Sequence, residues 1–188
     1  MYPAPAERIR PGKIATVNDI AVTVIGQDRP GIIADVTEIL ARLGLNLTDS
    51  TMTRLRGHFA MTLFCSGPPE VDDVEKALEP VTEDRTLVVT VRRVADEAGP
   101  EAPGIHHVLT VHGADRLGIV ATLTRVVAEA GGNITDLSTR LAGDLYVVIA
   151  ELDLPSTVDS SKMAGALRQA AHELGVEATL RPAEADLL

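Results

Sequence analysis

An internal repeat at an offset of 87 residues, which carries Gly26 onto Gly113, is the feature that most constrains this 188-residue chain. The segment Gly26–Ile33 (GQDRPGII) returns as Gly113–Val120 (GADRLGIV), and Asn46–Asp49 (NLTD) returns as Asn133–Asp136 (NITD). No gap is needed between the two motifs. Because self-similarity at a fixed period marks a repeated structural unit, the chain is predicted to contain two copies of one domain.

Each copy opens with the periodicity of a strand followed by that of an amphipathic helix. Alternating apolar residues predict a first strand around Ile20–Val24, and again around His107–Val111. Apolar residues spaced three and four apart then predict helices over 32–43 and 119–130, each ended by glycine.

Two further strands, a second helix and a last strand complete each copy. The predicted ranges are 45–56, 58–65, 71–78 and 86–93 in the first copy, and 133–141, 145–152, 163–174 and 176–181 in the second. The order β-α-β-β-α-β, found twice, predicts an α+β fold. It consists of two ferredoxin-like units in tandem, each an antiparallel sheet of four strands with two helices on one face.

The repeat also divides the chain into segments. We predict a flexible N-terminal tail over 1–18, a first domain over 19–94, a linker over 95–104, a second domain over 105–182 and a C-terminal tail over 183–188. Proline and glycine break both periodicities in the first tail and in the linker. We therefore expect no separate catalytic or DNA-binding domain in this chain.

Charge and composition exclude several classes of function. The formal net charge is -10, from 17 Lys and Arg against 27 Asp and Glu, and aromatic residues make up 2% of the chain. Direct binding to nucleic acid or to an anionic membrane is not expected, because both need basic clusters. No apolar run is long enough to span a membrane, and a single cysteine excludes an internal disulfide. The chain is therefore predicted to be cytoplasmic.

Residues that carry catalysis or bind metals are not grouped in a familiar motif. The sequence has no nucleophile elbow, phosphate-binding loop, dinucleotide fingerprint or zinc-peptidase motif. His106, His107 and His112 share one predicted strand, with roughly 20 Å between the first and the last, and are expected to be partly exposed. Cys65 is expected to be a small buried apolar residue. We predict no catalytic residue, no metal site and no cofactor.

The loop between the first strand and the first helix has the residues to bind a small zwitterion. Backbone N–H groups at Gly31 and Ile32 are expected to face a carboxylate at the positive end of the helix. Asp28 is placed to meet an ammonium group, and Asn46, at the start of the neighbouring strand, offers a donor and an acceptor. Pro30 fits the first helical turn, where its missing N–H costs nothing.

The second copy repeats this loop with one change. Asp115, Gly118 and Asn133 take the matching positions, whereas Leu117 replaces the proline. The arginine of each loop is expected to be a solvated surface charge.

A purely structural role explains the same residues equally well. Asp28 is a candidate helix cap, and Asn46 is a candidate turn residue. Gly26 and Gly31 lack a β-carbon, which allows either the close approach of a ligand or an unusual backbone conformation. Both interpretations of the loop therefore stay open.

The two loop motifs resemble those of ACT domains, small-molecule-binding ferredoxin-like modules often attached to enzymes of amino-acid metabolism. The resemblance rests on Asp28–Ile33 (DRPGII) with Asn46 fifteen positions after the loop glycine, and on Asp115–Val120 (DRLGIV) with Asn133 at the same spacing. It covers residues 20–181. A pair of such units with nothing else attached is similar to the glycine cleavage system transcriptional repressor group.

The resemblance implies a regulator whose ligand, typically an amino acid, lies between the strand-helix loop of one unit and the interface with another. Leu117 departs from the motif, and Gly26 and Gly113 stand where some family members have a ligand-contacting side chain. By position, the resemblance implies these ligand-binding residues: Asp28, Arg29, Pro30, Gly31, Ile32, Asn46, Asp115, Arg116, Gly118, Ile119 and Asn133.

A regulator of this composition is expected to act through protein contacts. The sheet face opposite the helices is predicted to be less polar than a solvated face, which favours a homodimer. A regulatory protein partner and a role in transcriptional control of amino-acid metabolism are further expectations. The alternative is a pure protein-interaction module with no ligand. The residues that indicate the less polar face are Ala21, Thr23, Ile25, Val88 and Thr90.

Overall fold

The computed structural model describes residues 17–94 and 104–183, in which each repeat folds as a compact unit of its own. The predicted tails and linker lie mostly outside these ranges, in residues 1–16, 95–103 and 184–188.

The predicted order of elements is confirmed in both units. The first unit contains β1 (Asn18–Gln27), α1 (Ile32–Arg42), β2 (Asn46–Leu55), β3 (His58–Gly67), α2 (Val71–Thr82) and β4 (Leu87–Arg93). The second unit contains β5 (Ile105–Ala114), α3 (Ile119–Glu129), β6 (Asn133–Ala142), β7 (Leu145–Leu154), α4 (Ser160–Glu173) and β8 (Val176–Pro182).

Each unit contains one four-stranded sheet in which neighbouring strands are antiparallel. The strand order is β2-β3-β1-β4 in the first sheet and β6-β7-β5-β8 in the second. β2 and β6 are therefore edge strands. β3 separates β2 from β1, and β7 separates β6 from β5. This order places the two ends of α1, and the residues beside them, at opposite ends of the sheet.

Alternate residues of the central strands are buried under the helices. Ile20, Val22 and Val24 of β1 are fully buried, and the buried stripe of α1 packs in the same core. Burying one such side chain stabilises the fold by about 1.5 to 3 kcal/mol. The predicted helix stripe is thus the face that joins helix to sheet.

The edge strand β2 is not covered by the helices. All ten of its residues are exposed, including Leu47, Met52 and Leu55. Because one side of an edge strand also has unpaired backbone N–H and C=O groups, β2 is a surface suited to pairing with another strand.

The two units fill the same part of the core with leucines from different positions, Leu45 just before β2 in one and Leu154 at the end of β7 in the other. In the first unit Leu45 is buried, and a β-carbon on Gly67 would lie 3.0 Å from the Leu45 Cδ2 atom. In the second unit leucine and glycine are exchanged, because Gly132 is equivalent to Leu45 and Leu154 is equivalent to Gly67. Leu154 is buried, and a β-carbon on Gly132 would lie 2.7 Å from the Leu154 Cδ2 atom.

This exchange predicts energetic coupling between the two positions. Leu45→Gly leaves a cavity and Gly67→Leu overfills the core, so each single variant should unfold more easily than the wild type. The double variant removes the contact with the Leu45 side chain but not the 2.8 Å approach of a Gly67 β-carbon to the Gly44 carbonyl oxygen. It should be less destabilised than the sum of the single effects, by about 1 kcal/mol. Urea unfolding of the four proteins measures this coupling. Strictly additive effects would contradict this shared part of the core.

Candidate functional site

The first loop connects β1 to α1 through a left-handed glycine. Gly31 precedes the helix with a φ of 92°, a conformation that only glycine adopts at little cost, and no side chain caps the helix. The helix begins at Ile32, so the prediction that Pro30 lies in the first helical turn is wrong. Gly31 interrupts the helical backbone one residue after the proline.

Asp28 is held by an ion pair across the loop. Arg54 Nε of β2 lies 2.6 Å from Asp28 Oδ2, and the Asp28 backbone N–H donates to the Gly57 carbonyl oxygen at 3.0 Å. The alternative that Asp28 caps the helix is therefore wrong. Its carboxylate is engaged by a charge from the edge strand.

Arg29 lies at the surface, with 36% of its side chain exposed, and its charge is also paired. Its Nη1 atom donates to Asp35 Oδ2 at 2.9 Å and to the Pro30 carbonyl oxygen at 3.3 Å. Asp35 lies in the first turn of α1, where the helix dipole stabilises a negative charge. Both charged residues of the first loop therefore have partners within their own unit.

The second loop has the same backbone but none of these ion pairs. Gly118 repeats the left-handed conformation, with a φ of 92° before α3. Asp115 and Arg116 are exposed and have no ion pair or side-chain hydrogen bond among residues 17–94 and 104–183. The positions equivalent to Arg54 and Asp35 hold Leu141 and Thr122, neither of which has a charge.

A cavity of about 570 Å³ opens beside this second loop. Its wall contains Asp115, Arg116, Gly118 and Ile119, all of which were predicted to bind a ligand. Tyr146 of β7 completes the wall, lying opposite Gly113 of β5 in the sheet register. The cavity therefore presents a carboxylate, a guanidinium and a phenol ring beside apolar surface.

The structure separates the aspartate and asparagine that were expected to bind one ligand together. Gln27, next to Asp28, is in register with His58, whereas Asn46 is in register with Ser66 at the far end of β3. The intervening eight residues of strand span roughly 26 Å. The expectation that Asp28 and Asn46 contact the same zwitterion within one unit is wrong, because β3 separates their strands and α1 connects opposite ends.

Asn133 is likewise at the far end of its own sheet, in register with Asp153. It lines a second cavity, of about 500 Å³, between α3 and the start of β6. Ala121 contributes to the walls of both cavities, so they adjoin along α3. Within its own unit, Asn133 therefore does not line the cavity beside the second loop.

A family model for the ACT domain matches residues 18–92 and, a second time, residues 106–181. The chain belongs to the ACT domain family. The two matches are the two structural units, named below the first and second ACT units.

Curated relatives match about the length of one ACT unit. A UPF0237 protein from Methanopyrus kandleri is 42% identical over 71 residues, which cover 37% of this chain and 79% of the relative. A UPF0237 protein from Listeria monocytogenes is 35% identical over 75 residues, or 38% of this chain and 84% of the relative. Neither name states a ligand or a reaction.

Solved structures share the tandem arrangement. A protein of unknown function from Galdieria sulphuraria has a TM-score of 0.76 and 28% identity, covering 89% of this chain and 99% of its own. A protein proposed to be a glycine cleavage system transcriptional repressor has a TM-score of 0.67, with 88% and 96% coverage. Its identity of 19% means that the similarity shows a common fold.

In both ACT units the glycine before the loop serves strand packing. A β-carbon on Gly26 would overlap the Thr86 carbonyl oxygen, and one on Gly113 would lie 2.7 Å from Val176 Cγ1. The hypothesis that Gly26 leaves room for a ligand is therefore not supported. A neighbouring strand occupies that space.

The histidines and the cysteine of the ACT units differ from one another in burial. His107 is buried, and its Nδ1 atom lies 2.8 Å from the Ile105 carbonyl oxygen, so the expectation of partial exposure is wrong for this residue. Cys65 is buried as expected, and burial raises the pKa of its thiol. Within the described ranges there is no group of three potential metal ligands, and no helix there is long and apolar enough to cross a membrane.

Sequence reasoning missed Arg54, Asp35 and Tyr146. The first two stand out only when the repeats are compared at positions where they differ, since the second ACT unit has uncharged residues there. Tyr146 aligns with Phe59, which is buried, whereas Tyr146 is partly exposed at the cavity. Differences between copies thus carried information that the shared motif did not.

Proposed function

We propose that this tandem ACT protein is a non-enzymatic cytoplasmic regulator that binds an α-amino acid at a strand-helix loop and signals through protein contacts. The cavity beside the second loop is the observation that carries the proposal, because its wall holds a carboxylate and a guanidinium from adjacent residues. These charges complement the ammonium and carboxylate groups of a zwitterion. The N-terminus of α3 adds a favourable potential for the ligand carboxylate.

A homodimer is part of this proposal. The exposed edge strand β2 supports it, as do Ile25, Phe64 and Val88 on the sheet face opposite the helices, which are also exposed. A ligand changes an interface only by binding more tightly to one of its states.

Transcriptional control of amino-acid metabolism through a protein partner is the finer form of the proposal. It is supported by the similarity of fold to the protein proposed to be a glycine cleavage system transcriptional repressor. The net charge of -10 favours a protein partner over direct contact with DNA.

A thermal-shift screen against the twenty amino acids tests the proposal. Binding to the native state raises the melting temperature by mass action, and a ligand at 100 times its Kd adds about 2.7 kcal/mol of stability. We expect a selective rise for a small set of amino acids, which Arg116→Ala abolishes. Thr157→Ala, an exposed change that lies in neither cavity wall, is the matched control and should keep the rise. No rise at millimolar concentrations, checked by calorimetry, would contradict the proposal.

A pure protein-interaction module is the second candidate function. The exposed length of β2 and the paired charges of the first loop favour it. Under this alternative, partner binding stays intact when Asp115 is replaced by alanine, and no amino acid alters it. Pull-down of a partner by the wild type and by the Asp115→Ala variant, each with and without amino acids, distinguishes the two functions.

A further inference from the structure

The two loops share a motif but differ in what their charges contact. In the first ACT unit Arg54 holds Asp28 at 2.6 Å and Asp35 holds Arg29 at 2.9 Å. In the second ACT unit the equivalent positions are Leu141 and Thr122, and the charges beside the cavity are unpaired among the described residues.

We infer that only the second loop binds an amino acid in the native protein. The ion pairs that Arg54 and Asp35 form with Asp28 and Arg29 prevent an amino acid from binding at the first loop, and we call these two residues the latch. This inference rests on the proposed function. It reverses the expectation that follows from the motif alone, because the first loop has the more complete motif and the second has the departure at Leu117.

A ligand has to compete with Arg54 and Asp35 for the charged groups of the first loop. A ligand ammonium can reach the Asp28 carboxylate only by replacing Arg54, and a ligand carboxylate can reach Arg29 only by replacing Asp35. Each exposed pair is worth up to about fivefold in affinity, so the two together weaken binding by up to about 25-fold.

The helix ends add to this difference. The first turn of α1 contains Asp35, whose negative charge repels an incoming carboxylate, whereas the first turn of α3 contains no acidic residue. No acidic side chain in the first turn of α3 opposes the positive end of its dipole, which favours an anionic group at the second loop.

The walls of the cavity beside the second loop define the class of ligand side chain that it accepts. Leu117, Ile119, Val120 and Ala121 line it together with the ring of Tyr146. Asp115 and Arg116 are the charged residues in this wall, and they pair with the ammonium and carboxylate groups of the ligand. The wall therefore has no further charge that could pair with a charged ligand side chain. An α-amino acid with an apolar side chain fits this arrangement, and a volume of about 570 Å³ accommodates one.

Exchanging residues between the two loops tests the inference. Leu141→Arg with Thr122→Asp gives the second loop the latch, and Arg54→Leu with Asp35→Thr removes it from the first. All four positions are exposed, and each receives the residue that its counterpart already has, so both variants are expected to fold. Circular dichroism and the melting temperature check this.

Calorimetric titration with L-leucine, L-methionine and L-phenylalanine, with L-glutamate as a control, gives affinity and stoichiometry. The wild type should bind one equivalent of an apolar amino acid. The latched second loop should bind it more weakly, by up to about 25-fold, and the unlatched first loop should raise the number of sites to two. L-Glutamate should bind more weakly than the apolar amino acids to each protein.

Two results overturn the inference while leaving the proposed function in place. The first is wild-type affinity in the Leu141→Arg, Thr122→Asp protein. The second is loss of binding in Asp28→Ala together with wild-type binding in Asp115→Ala. Absence of binding by any of the amino acids to all of these proteins overturns the proposed function itself, and the inference with it.

Discussion

Gly26→Ala is expected to lower the free energy of unfolding of the first ACT unit by about 3 kcal/mol or more. The added β-carbon would overlap the Thr86 carbonyl oxygen and lie 2.8 Å from Leu87 Cα. Both are backbone atoms at the entry to β4, and the same carbonyl accepts the Gln27 N–H at 2.9 Å. No side-chain rotation relieves the overlap, so the two strands must separate.

Gly165→Ala is the matched control for this prediction. Gly165 lies within α4, and a β-carbon there would have no atom within 4 Å. Because alanine is the better helix former, this variant should be more stable than the wild type by up to about 1 kcal/mol. Denaturant unfolding followed by circular dichroism measures both variants. A Gly26→Ala protein as stable as the wild type would contradict the close packing of β1 on β4.

Charge placed on the edge strand is expected to convert a dimer of this chain into monomers. Met52 and Leu55 lie on β2 and are about half exposed, at 47% and 50%. The double variant Met52→Lys, Leu55→Lys would place two ammonium groups where a second strand has to pair, a device that natural proteins use to block edge pairing. Light scattering at micromolar concentration should change from the mass of two chains to the mass of one.

Val88→Lys separates edge pairing from packing of the sheet face. Val88 is 61% exposed on the face opposite the helices, away from β2. If the edge joins the two copies, this variant should remain a dimer. Monomers from Val88→Lys and dimers from the β2 variant would assign the interface to the sheet face, and a monomeric wild type would contradict the homodimer.

The fold was predictable because the repeat supplied each pattern twice. Ile20, Val22 and Val24 alternate in sequence, and they are fully buried in the structure. The helix stripe beginning at Ile32 was equally clear, and Gly31 and Gly44 mark its two ends with left-handed conformations. Local periodicity is sufficient for such elements because burial on one face determines it.

The geometry of the site was less predictable because it depends on sheet order and register. Asp28 and Asn46 are close in sequence, yet β3 lies between their strands and their positions are at opposite sheet ends. His107 is inside because it shares the inward-facing set of β5 with Leu109. Neither fact follows from residue type, since histidine and asparagine are common on exposed loops and strand ends.

Paired charges were the third feature that the sequence did not reveal. Arg29 and Asp35 are six residues apart across a loop and a helix start, outside the usual helical spacing for ion pairs. Arg54 reaches Asp28 from the end of a hairpin whose position depends on the sheet. Comparison of the two copies at these positions points to the pairs, because the second copy has uncharged residues there.

Signalling through the interface is tested most directly by the self-association constant of the chain, measured with and without the amino acid that gives the largest thermal shift. Sedimentation equilibrium gives this constant for the wild type and for Asp115→Ala. A ligand that signals through an interface must change this constant, and we expect a change of about fivefold or more in the wild type and none in the variant. Equal constants with and without saturating ligand in the wild type would contradict signalling through this interface.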